Sequence, residues 1–149
     1  MNEARVAEQE PIRIKLGSWD ELGDEARRIR LEVFVTEQGV PLDMEIDAMD
    51  PVSVHALALR SAAGALGTGR LLPDGHIGRM AVARDARGQG VGAALLQRLM
   101  QAARQAGHRQ VELFAQVHAQ HFYEQFGFVA VGEPFDDCGI LHITMRATL

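Results

Sequence analysis

Three glycines at alternate positions, Gly88, Gly90 and Gly92, follow closely on two arginines, Arg84 and Arg87. They run straight into Val91, Leu95, Leu96, Leu99, Met100 and Ala103, which recur at helical spacing. The apolar run before them, residues 77–82, reads as a strand. A glycine-rich loop between a strand and the first turn of a helix leaves backbone N–H groups without intrahelical acceptors, and such groups can converge on an anion. The chemistry on offer is phosphate binding. No Gly-Lys-Ser/Thr follows, so this is not a nucleoside-triphosphate loop. Nor is it a dinucleotide fingerprint: the G-x-x-G step is missing, and Glu112, the acidic residue at the right distance, lies inside an alternating strand.

The elements that must position this loop can be read along the chain. Residues 12–17 alternate apolar and basic and predict an amphipathic first strand. Ser18 or Asp20 caps a helix beginning near Glu21, with Leu22, Ala26, Ile29, Val33 and Phe34 on its apolar face and Gly39 and Pro41 at its end. Residues 42–51 are acidic and aperiodic, which predicts a loop with one irregular turn. Residues 54–60 predict a second strand, Ser61 to Gly64 a turn, and residues 65–72 a third strand loosened by Gly67 and Gly69. Pro73, Asp74 and Gly75 form a turn leading to an antiparallel fourth strand over 76–82. The helix after the loop runs to about Gly107, and a fifth strand covers 111–115. A short helix over 119–126 stops at Gly127, and two last strands, 128–133 and 140–146, are joined by a polar loop from Pro134 to Gly139. Hairpins mixed with helical crossovers make this an α+β sheet protein.

Composition narrows the function classes. The chain has 149 residues, 47% of them hydrophobic, enough for one domain with its own core. A polar leader over residues 1–10 and a single domain over 11–149 are expected. A net charge of -5 argues against nucleic acid as a partner, although Arg79, Arg84 and Arg87 form a local basic patch. The single cysteine, Cys138, fits a reducing, cytoplasmic setting, and no apolar run is long enough to cross a membrane. His118, His121, His142 and Cys138 match no closed zinc spacing, so no metal is expected.

The pattern Arg87-x-x-Gly90-x-Gly92, with its strand before and its amphipathic helix after, resembles the pyrophosphate loop of the Gcn5-related N-acetyltransferase (GNAT) superfamily. Residues 33–41, with Glu45, Ile46, Asp47, Asp50 and His55 after them, resemble the N-terminal signature of ElaA-like bacterial acetyltransferases. Residues 115–128 resemble the GNAT C-terminal motif, in which a tyrosine precedes a Gly-Phe turn, here Gly127-Phe128. Together these stretches span roughly residues 12–146.

The resemblance implies a three-layer α/β/α fold with a mixed, mostly antiparallel sheet of about seven strands, the fourth and fifth splayed. It implies acetyl-CoA as co-substrate, with Gly88, Gln89, Gly90, Val91 and Gly92 gripping the pyrophosphate and Arg87 as a cationic supplement. Met80, Ala81 and Val82 would offer backbone groups to the pantetheine arm. Tyr123 would be the general acid for the departing thiolate: a phenol titrates near ~10 and a thiol near ~8.5. The fourth strand lacks the glutamate that many relatives carry there, which leaves Glu112, His118 and the acidic residues 45–50 as candidates for the base, with His118 preferred. Glu37, Gln38, Glu45 and Asp47 are expected to form a surface that recognises a positively charged amine, small or peptidic. The expected reaction is acetyl transfer to a primary amine by direct attack. A non-catalytic acyl-CoA sensor or interaction module is the alternative, and a homodimer is left open.

Overall fold

The computed structural model of the protein describes residues 10–61 and 64–149. The expected polar leader, save Glu10, lies outside these residues, as do Ala62 and Ala63 of the expected turn. Strand β1 (Arg13–Gly17) leads into helix α1 (Trp19–Arg30) through a capping box: Ser18 Oγ accepts from the Glu21 N–H, and the Glu21 carboxylate accepts from the Ser18 N–H. Leu22, Ala26 and Ile29 repeat at helical spacing and are fully packed.

Beyond Arg30 the helix widens into a π-helical turn, Leu31–Glu37, in which the Gln38 N–H reaches the Val33 carbonyl at 3.0 Å. Such turns shift the phase of the side chains that follow. After a four-residue helix α2 (Leu42–Glu45) and a short 3₁₀ turn (Asp50–Val52) come β2 (Val54–Arg60), β3 (Gly64–Leu71) and β4 (Ile77–Val82). Strands β1-β2-β3-β4 form one antiparallel sheet in that order.

Helix α3 (Val91–Gln105) follows the glycine loop, and β5 (Gln110–Gln116), α4 (Gln120–Glu124), β6 (Val129–Asp137) and β7 (Ile140–Thr148) complete the chain. The last three strands form a second antiparallel sheet in the order β5-β7-β6. The hairpin is longer and tighter than expected. In place of a loop from Pro134 to Gly139, β6 and β7 run to a two-residue turn, Cys138-Gly139, both at positive φ. A bulge between Val131 and Phe135 absorbs Gly132 and Pro134, the residues that signalled a break.

Two helices sandwich the strands. On one face Leu22, Ala26, Ile29 and Val33 pack on Leu57, Ala65 and Ala81; on the other Val91, Leu95, Leu96 and Leu99 pack on Ala56, Ala58, Leu66 and β5–β7. Gly67 and Gly69 do not loosen β3. A Cβ on Gly67 would stand 2.9 Å from Val91 Cγ1, and one on Gly69 would meet Met80 Sδ at 2.5 Å and Leu99 at 2.9 Å. They are the surface on which α3 beds.

Between the two sheets the only bridge among the described residues is a parallel one, His76 to Glu112. The strands are held there by the Glu112 N–H donating to Gly75 O at 3.3 Å, and no further β4–β5 pairing follows. The α+β fold, its sandwiching helices and the splayed fourth and fifth strands are as expected.

Candidate active site

The splay opens a cleft of about 570 Å³ lined by the π-turn of α1, β4, Arg87 at the start of the glycine loop, β5, α4 and the tip of the β6–β7 hairpin. Every expected role can be located against it.

At one end, Gly88 (φ +76°) and Gly90 (φ +83°) adopt the left-handed conformation that admits glycine without strain. Gly90 is the N-cap of α3 and provides no side-chain cap. Among the described residues, the N–H groups from Gly88 to Ala93 have no intramolecular acceptor in hydrogen-bonding geometry. A Cβ at Gly88 or Gly90 would meet nothing within 4 Å, so the cradle opens outward. This row of free donors at a helix N-terminus fits a phosphate. The Gln89 side chain turns away, hydrogen-bonded to Arg60 and the Asp85 carbonyl.

Arg87 closes the same end differently. Its guanidinium donates to both Glu37 oxygens at 2.7 Å and to Val82 O at 3.1 Å. Thus Glu37, expected to recognise the acceptor, and Arg87, expected at the pyrophosphate, are partners across the cleft. The hydrogen bonds from Arg87 hold the Glu37 carboxyl below the usual range.

The β4 edge facing the cleft has no strand beside it beyond the bridge. Along it Arg79 takes φ +50°, and the register with β3 shifts so that Ala81 faces Thr68 and Gly78 faces Arg70. Arg79 and Met80 therefore bulge out of the ladder opposite Gly69. Met80, Ala81 and Val82 line the cleft.

Tyr123 lies across from β4, packed edge-on against Phe122 and Phe128. Burial pushes its phenol up to about 12, so it is a neutral hydrogen-bond donor across the physiological range. His118 sits at the cleft rim, where its Nε2 meets Gln116 Oε1 at 2.7 Å, and Gln116 Nε2 in turn donates to Gln38 Oε1 at 3.0 Å. Because the Gln116 oxygen can only accept, Nε2 of His118 carries the proton and the Nδ1 lone pair is left free.

Two expectations are corrected. Glu112 lies at the closed end of the splay, outside the cleft lining. Its carboxylate accepts from Arg146 at 2.7 and 2.9 Å and from His76 at 3.0 Å, which holds its pKa low, so it is a clamp and not a free base.

The acidic stretch, secondly, is not an open cationic-recognition surface. Glu45 and Asp50 are buried against Arg30, Asp50 accepting at 2.8 and 3.0 Å, and Arg70 grips Asp47 (2.8 and 2.7 Å) and Asp50 (2.8 Å). Burial alone would raise the Asp50 pKa, but Arg30 and Arg70 outweigh it and lower it; Arg70 likewise holds Asp47 well below the carboxylate range. His55 packs at a tilt against Trp19 and contacts the Asp50 carbonyl at 2.9 Å. The arginines that neutralise the stretch, 30, 70 and 79, come from α1, β3 and β4. No local pattern announced them.

The sequence matches the acetyltransferase (GNAT) domain family over residues 21–149. The chain belongs to that family. It is 34% identical to the ElaA protein of Escherichia coli over 79% of this chain and 82% of that one. To the uncharacterized N-acetyltransferase YjcF of Bacillus subtilis it is 36% identical, covering 78% and 86% respectively. Its fold superposes on an acyl-CoA N-acyltransferase from Pseudomonas aeruginosa with a TM-score of 0.82 at 35% identity, over 92% of this chain and 99% of the other. This GNAT-fold chain is thus an acetyltransferase that uses an acyl-CoA donor and an amine acceptor, and the ElaA-like resemblance holds.

Proposed function

We propose that the protein transfers the acetyl group of acetyl-CoA to a primary amine by direct attack, through a tetrahedral intermediate and without an acyl-enzyme. The observation that carries this reading is the conjunction of a row of unpaired N–H donors just beyond Arg87 at one end of the cleft with an unpaired strand edge and the half-buried phenol of Tyr123 on its walls. The donors of residues 88–93 bind the pyrophosphate, and the β4 edge takes the amide groups of pantetheine as a neighbouring strand would.

The amine nitrogen, once deprotonated, forms the C–N bond to the thioester carbonyl, and the C–S bond then breaks. Nδ1 of His118, directly or through water, accepts the proton that nitrogen loses, while Tyr123 donates to the departing sulfur. A phenol near 12 is a weaker acid than a thiol near ~8.5. Tyr123 therefore acts by hydrogen-bonding the developing thiolate, and the net proton moves from nitrogen to sulfur. Cys138, the thiol at the hairpin tip, is held above its usual pKa by lost solvation and by Asp137, which keeps it protonated and a poor acyl acceptor.

The test is calorimetric binding of acetyl-CoA followed by CoA-thiol release across a panel of amines. Turnover with a linear progress curve and no burst of CoA supports direct transfer. Binding without turnover on any amine would support a sensor instead.

A further inference from the structure

The three arginines of the buried cluster are not equally satisfied. Arg30 donates to Glu45 through Nε and Nη2 and to Asp50 through Nη1 and Nη2. Arg70 donates through both Nη atoms to Asp47 and Asp50. Arg79, in contrast, makes only two long contacts, both from Nη2: 3.3 Å to the Glu45 carbonyl and 3.2 Å to an Asp47 oxygen that Arg70 already holds at 2.7 Å. Among the described residues its Nε, like that of Arg70, is buried without an acceptor, and its Nη1 has no partner. Yet its side chain is 29% exposed and lines the cleft, on a bulge held at φ +50°. Nη1 thus keeps two N–H groups to spare on a side chain that lines the cleft, which makes it a donor pair for an anion.

Resting on the acyltransferase reading, we infer that Arg79 anchors a carboxylate of the acceptor, so that the amine acetylated belongs to an amino-acid-like molecule and not to a polycation. The anion is a carboxylate because the site offers free donors with little charge to spare: Arg30, Arg70 and Arg79 face Glu45, Asp47 and Asp50, three cations against three carboxylates. Arg87 is consumed by Glu37, and Arg30 and Arg70 are sealed among carboxylates, so a phosphate dianion would find no cation to neutralise it. The same cleft presents Phe34, Met44 and Phe114, the last two about half exposed, which suits an apolar body on the same acceptor. Desolvation and the neighbouring Arg70 lower the Arg79 pKa, a strain that a bound carboxylate relieves.

The test compares matched ligands on the wild-type protein. Apolar L-amino acids and their α-carboxamides are assayed as acceptors with acetyl-CoA, and the corresponding N-acetyl acids and amides are titrated calorimetrically into the CoA-loaded protein. The acid of each pair should have a kcat/KM at least tenfold higher, expressed in KM, and the N-acetyl acid should bind more tightly than its amide. Arg79→Gln should erase both preferences, and Arg79→Lys should restore part of them while acetyl-CoA affinity stays unchanged. Amides turned over as well as acids, or N-acetyl amides bound as well as acids, overturn the inference even if Arg79→Gln fails to fold. Selective binding of the N-acetyl acids with no turnover of any amine supports the carboxylate site and defeats the transfer reading alone.

Discussion

The phosphate loop and the arginine–carboxylate cluster flank the same cleft and treat polar groups in opposite ways. From Gly88 to Ala93 the donors are left unpaired. In the cluster, Arg30, Glu45 and Asp50 are buried and bound to one another almost to saturation. Solvent explains the difference. An outward-facing N–H is satisfied by water until a ligand replaces it, whereas a buried charge without a partner costs several kcal/mol. Charge density near a cleft is therefore a poor guide to what the cleft binds. What matters is which groups the fold has left unspent: the loop amides at one end and Arg79 at the other.

Removing a partner from the cluster should break the comparison most severely. Arg30→Ala leaves Glu45 buried without its ion-pair partner and Asp50 held by Arg70 alone and should cost about 3–5 kcal/mol, read by urea unfolding at neutral pH. The same cluster sets an acid dependence. Asp47 and Asp50 have lowered pKa values, so as pH falls the unfolded chain takes up protons first. Their contribution is complete above the unfolded value near ~3.9 and is lost as pH drops through the folded values. His55 adds a separate step. Burial lowers its pKa, so the unfolded chain again protonates first and stability declines as pH falls below ~6.5. His55→Gln should remove that step from the stability–pH curve while leaving the acid limb near pH ~4 in place.

At the donor end the effects are catalytic. Tyr123→Phe should lower kcat about a hundredfold or more, roughly 2.7 kcal/mol, with acetyl-CoA affinity unchanged. An unchanged kcat would remove the phenol from the reaction. Gly90→Ala forces a Cβ into a left-handed cap at φ +83°, which costs about 1–2 kcal/mol. Calorimetry should show roughly tenfold weaker acetyl-CoA binding, since ~1.4 kcal/mol is a factor of ten, with little change in the acceptor KM. The smallest effect is expected at Glu112→Gln. The Glu112–Arg146 pair is partly exposed and contributes about 0.2–1 kcal/mol, and the pH profile of kcat should not move. A shifted profile would return Glu112 to the list of bases.

Much of this was legible in the residues themselves. Ser18 with Glu21 announced the start of α1, the run from Val91 to Ala103 announced α3, and alternate glycines between a strand and a helix announced the anion cradle. Tyr123 could be placed because it stands next to the Gly127-Phe128 turn. Other features left no local trace. The π-turn from Leu31 to Glu37 has the composition of ordinary helix, and it alone brings Phe34, Glu37 and Gln38 to the cleft. Gly132 and Pro134 signalled a loop where the long hairpin absorbs them in a bulge.

By itself the sequence determined most of the elements, the family and the open glycine loop, because helix spacing, capping and glycine φ depend on residues a few positions apart. Only the tertiary structure decided what the charges do. Arg30, Arg70 and Arg79 reach Glu45, Asp47 and Asp50 from three separate elements, and a charge's meaning depends on whether it meets water or a counter-ion. That is set by three-dimensional proximity, which spacing along the chain does not carry.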